Sequence, residues 1–99
     1  MHSPKVWITG IGAVTPLGIN MTTTWEALLQ GKSGITRIES FDPSDYRLKV
    51  KIAGEIKGLD PTNWMGKKEA DRLDRFSQLA LIAAEEAIHE AHVPTHRAL

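Results

Sequence analysis

Four groups of residues in this chain have types and spacings that could do chemistry. Glu85, His89, His92 and His96 step by four, three and four, as if lining one helical face, and imidazoles with a carboxylate can ligate zinc. Pro94 disfavours helical geometry at Val93 and takes His96 off that face, so a solvated row is the simpler reading. Gly10-Ile11-Gly12 follows a strand-like run, as a dinucleotide-binding turn would. The third glycine of that turn would stand at position 15, which is Thr15, and Pro16 breaks the chain where the helix should begin. Glycines placed for close packing are the expectation there. Gly31-Lys32-Ser33 has the ending of a phosphate loop, but the opening glycine would fall at position 26, where Glu26 sits inside a helix.

The fourth group is cationic. Lys67, Lys68, Arg72 and Arg75 gather at the start of a helical stretch, and Lys68, Arg72 and Arg75 can share a face through steps of four and three. Glu69, Asp71 and Asp74 dilute the charge to a local excess of one. A solvated helix start is one reading, and a docking patch for an acidic partner is the other. Ser, His and Asp all occur, but no nucleophile elbow or positioned base can be argued from spacing. The chain has no cysteine, which removes disulfides, thiolate metal sites and a cysteine nucleophile from these residues.

The elements that would position these groups follow from pattern. Val6-Trp7-Ile8-Thr9, continued by Ile11, Ala13 and Val14, is β-rich without clean alternation, as expected of a strand covered on both faces. Thr23-Thr24-Trp25-Glu26 has capping-box spacing and opens a helix that Gly31 should stop. The stretch after Gly31, to about Tyr46, has Gly34, Pro43 and scattered charge and reads as ordered loop. Leu48 to Lys57 alternates, with Leu48, Val50, Ile52 and Ile56 on a buried face. Asp60-Pro61 reads as N-cap and first residue of a short turn. From Lys67 a helix runs almost to the end, with Leu73, Phe76, Ala80, Ala83, Ala87 and Ala91 as a narrow apolar stripe of mostly small residues. Glu85, Glu86 and Glu90 fall where the macrodipole disfavours them.

A chain of 99 residues would bury roughly 65% of its extended surface, enough for one modest core. Twelve basic residues cancel twelve acidic ones, so no global field draws nucleic acid or anionic membrane. Met1-His2-Ser3-Pro4 leads straight into the first strand, with neither a signal peptide nor a spanning helix expected. The expectation is a soluble, cytoplasmic α/β chain. One tension remains: a strand buried on both faces needs neighbours, and only two strands are clear. Either this is a short α+β domain, or the chain is part of a larger one.

Taken together, Val6-Trp7-Ile8-Thr9-Gly10-Ile11-Gly12-Ala13-Val14-Thr15-Pro16-Leu17-Gly18 resembles the opening of the β-ketoacyl-[acyl-carrier-protein] synthases. Thr24-Trp25-Glu26-Ala27-Leu28-Leu29-Gln30-Gly31-Lys32-Ser33-Gly34-Ile35 is similar to that family's first helix and loop. Phe41-Asp42, Ile52-Ala53-Gly54-Glu55-Ile56 and Lys67-Lys68-Glu69-Ala70-Asp71-Arg72-Leu73-Asp74-Arg75-Phe76-Ser77 complete the series, and the elongating synthase II members are the nearest in pattern.

The resemblance implies a thiolase-like αβαβα fold, of which residues 1–99 would be an incomplete, N-terminal segment of the synthase N-terminal domain. The implied chemistry is decarboxylative Claisen condensation of malonyl and acyl groups carried on acyl carrier protein, giving 3-oxoacyl product. In the family a cysteine thiolate and two histidines do this work, and no cofactor is needed. None of His2, His89, His92 or His96 matches a catalytic histidine, so no catalytic residue is expected here and the isolated chain should be inactive. The resemblance does carry a partner site: Lys68 and Arg72, with Lys67 beside them, match basic residues that receive acidic carrier protein. Asp71 stands where the family often has a further basic residue. The rest of the synthase is an implied partner and homodimerisation an expectation for the parent. A carrier-protein binding module without catalysis, and part of a polyketide ketosynthase or chain-length factor, are the competing readings.

Overall fold

The computed structural model describes residues 3–94. In chain order these form α1 (Met21–Leu29), β1 (Thr36–Arg37), a 3₁₀ turn (Pro43–Tyr46), β2 (Ile52–Ala53), a second 3₁₀ turn (Pro61–Asn63), α2 (Lys67–Arg72) and α3 (Arg75–Ala91). Helices with a small antiparallel sheet make the described chain mixed α and β. The described residues divide into two compact units, residues 14–60 and residues 3–13 together with 61–94.

In the unit of residues 14–60, hydroxyls and carboxylates organise the turns. Thr15 and Gly18 exchange backbone hydrogen bonds of 2.8 and 3.2 Å, and the Thr15 hydroxyl accepts from the Leu17 and Gly18 amides. The same hydroxyl lies 2.9 Å from that of Thr24, which is buried at the first turn of α1. Asn20, in extended geometry, caps α1 by accepting from the Thr23 amide at 2.8 Å. The cap is therefore Asn20, three residues before the expected Thr23, because its side chain satisfies the orphan Thr23 amide of the first turn. Gly31, at φ 71°, ends the helix in a Schellman motif: its amide reaches Leu28 and that of Lys32 reaches Ala27.

Thr36 pairs with Ala53 and Arg37 with Ile52, and the Ile38 amide donates to Lys51 at 2.9 Å. This corrects two expectations. The stretch read as loop supplies β1 and a 3₁₀ turn capped by Asp42, whose carboxylate accepts from the Ser44 amide and hydroxyl. Those bonds hold the Asp42 carboxyl below its ordinary range. The strand expected over Leu48–Lys57 shrinks to Ile52–Ala53, and Leu48, Val50 and Ile52 stand exposed. The physical reason is that a two-residue ladder on one edge offers their face nothing to pack against. Across the hairpin, Glu55 accepts from the amides of Glu39 (2.8 Å) and Ser40 (3.2 Å) and from the Ser40 hydroxyl, while Lys57 bridges Glu39 at 3.0 Å. The Ser40 hydroxyl foremost, then the Glu39 amide, pulls the Glu55 carboxyl below the usual glutamate range.

In the other unit, the segment before residue 14 lies on α3. A Cβ built on Gly12 would stand 1.8 Å from the Ala83 carbonyl oxygen, and one on Gly10 would stand 2.1 Å from that of Ala87. The Ala13 amide donates to Glu86 Oε1 at 2.9 Å. The single long helix expected from Lys67 is broken. Leu73 and Asp74 are extended (ψ 138° and 159°), and Gln78 Nε2 donates back across the break to the carbonyls of Ala70 (2.9 Å), which also accepts from the Leu73 amide, and Leu73 (3.4 Å). At the far end His92 takes the left-handed conformation and closes α3 in a second Schellman motif. Of the expected apolar stripe, Ala83, Ala87 and Ala91 meet the glycines, whereas Phe76 and Ala80 are exposed.

The apolar side chains that reach burial among the described residues are Ala27, Pro43, Leu59, Met65, Ala70 and Ile82. The strand expected at 6–9 forms no ladder, and its side chains are bare: Val6 is 90% exposed, Trp7 77% and Ile8 83%.

Candidate functional site

Met65 and Ala70 are the buried residues that seat α2. Gly66 provides its N-cap without a side-chain bond, and the Ala70 amide closes the first turn onto the Gly66 carbonyl at 2.9 Å. With Ala70 turned inward, Lys67, Lys68, Asp71 and Arg72 are all exposed. Lys68 and Arg72 are four apart and therefore neighbours on one face. No ion pair among the described residues engages Lys67, Lys68 or Arg72. The position of the lysines works against local stability, since cations near a helix N-terminus oppose the macrodipole at about 0.3–1 kcal/mol each in a full-length helix.

Arg75 is separated from that face. Leu73 and Asp74 interrupt the helical phase, so Arg75 opens α3 and the face of three cations reduces to Lys68 and Arg72, with Lys67 next in sequence. Asp71 remains among them, exposed. The patch can attract an anionic surface.

The other motifs resolve by geometry. Gly10 and Gly12 serve close packing on α3, and the turn at Thr15–Gly18 rather than a helix follows them. Glu26 lies within α1, so Gly31-Lys32-Ser33 is a helix end. His89 is on α3 and His92 sits in the left-handed cap, out of helical phase with it; His2 and His96 lie outside the described residues. Among the described residues no group of three or more potential ligands is placed to hold a metal. No described helix is long and apolar enough to cross a membrane. Glu86 is the residue that sequence reasoning misplaced: a carboxylate disfavoured by the dipole turns out to accept the Ala13 amide. Its position between Ala83 and Ala87 on the small-residue face was the available signal.

Residues 3–98 match the family described as Beta-ketoacyl synthase, N-terminal domain. The chain is 44% identical over 92 residues to 3-oxoacyl-[acyl-carrier-protein] synthase 2 of Staphylococcus aureus (strain COL), covering 93% of this chain and 22% of that protein. It is 38% identical over 91 residues to the synthase of the same name from Synechocystis sp., covering 92% and 21%. It thus spans about a fifth of the length of the curated relatives it matches. With a family match over nearly all of its length, this chain belongs to the β-ketoacyl synthase N-terminal domain family.

Proposed function

We propose that this chain is the N-terminal segment of an elongating β-ketoacyl-[acyl-carrier-protein] synthase, and that Lys68 and Arg72, with Lys67 beside them, receive the acidic carrier protein. The whole enzyme, on this reading, joins malonyl and acyl groups by decarboxylative Claisen condensation within a thiolase-like αβαβα fold, as a cytoplasmic homodimer. A thiolate is the nucleophile such chemistry uses. These 99 residues hold no cysteine, so the acyl thioester forms elsewhere in the enzyme and this segment alone does not turn over.

The observation that carries the reading is the bare run Val6-Trp7-Ile8. Fully burying such side chains is worth about 1.5–3 kcal/mol each. Three together approach the net stability of a whole domain, about 5–15 kcal/mol. A sequence that leaves this much unused, on a segment already seated on α3 through Gly10 and Gly12, is built to be covered by further strands. The names of the relatives support the elongation chemistry. The exposed, unpaired cations of α2 support the carrier-protein contact.

Thermal unfolding of the 99-residue chain by circular dichroism, with uptake of a dye that binds apolar surface, tests the reading. The expected result is a shallow transition and strong dye uptake from the lowest temperature. A sharp two-state melt without dye uptake would overturn it in favour of an autonomous binding module.

A further inference from the structure

We draw no further inference here: the strongest candidate, the open cleft beside α1 lined by Leu17, Thr23, Glu26, Lys32 and Ser33, carries nothing, because no buried polar side chain among the described residues is left without a partner to mark a ligand there and nothing in the structure shows what fills it.

Discussion

Residues 6–8 and 10–13 are one continuous stretch with opposite fates. The later part is pressed onto α3, with glycines against the carbonyls of Ala83 and Ala87 and the Ala13 amide held by Glu86. The earlier part, three large apolar side chains a few residues upstream, touches little. Hydrophobicity did not decide which part packs, since the more apolar part is the bare one. Shape decided: α3 offers a surface of small side chains and exposed carbonyls, which only a segment without Cβ atoms can approach. The three large side chains need a surface made of something else.

That contrast can be broken at its packed end. Gly12→Val would drive a side chain into the Ala83 carbonyl, and overpacking of this kind costs about 3 kcal/mol. The Ala13 amide should then exchange with solvent faster by on the order of a hundredfold, read by hydrogen exchange. Removing only the bond is milder: Glu86→Ala should speed exchange at Ala13 by about tenfold, the scale of one hydrogen bond, and Glu86→Gln should restore most of the protection. The smallest effect is expected at the bare end. Trp7→Ser with Ile8→Ser should leave Ala13 exchange within about twofold of the parent, because exposed substitutions shift stability by about 0.5 kcal/mol or less. A large loss of protection in that variant would show that the two parts are coupled after all.

How much of this was legible in the sequence depends on which force sets each feature. The close-packing role of Gly10 and Gly12 was readable, because small residues on both sides of a contact leave few other uses for them. The Gly31 helix stop was readable for a similar reason, since glycine tolerates the left-handed conformation that ends a helix. The strand over Leu48–Lys57 was overread: alternation reports which faces a strand would have, not whether a neighbour exists to cover one. The break at Leu73–Asp74 was missed because neither residue forbids helix, and what stabilises the break is Gln78 reaching back from the next helix. For the cationic group, spacing placed Lys68 and Arg72 on one face of α2, while Arg75 was wrongly grouped with them by assuming an unbroken helical phase. Phe76 was assigned to the core stripe but is exposed among the described residues, since periodicity marks an apolar face without showing what covers it.

Between the glycines and α3 main chain meets main chain, with the Ala91 methyl the one side-chain group among the nearest atoms. Contacts of that kind have no rotamers to exchange, so the gap between segment and helix is set by peptide dimensions that every sequence shares. Substitutions along the outer side of α3 can alter what binds there without altering that spacing. The helix therefore acts as a fixed ruler, holding the glycine segment at a constant distance while the surface around it is free to diversify.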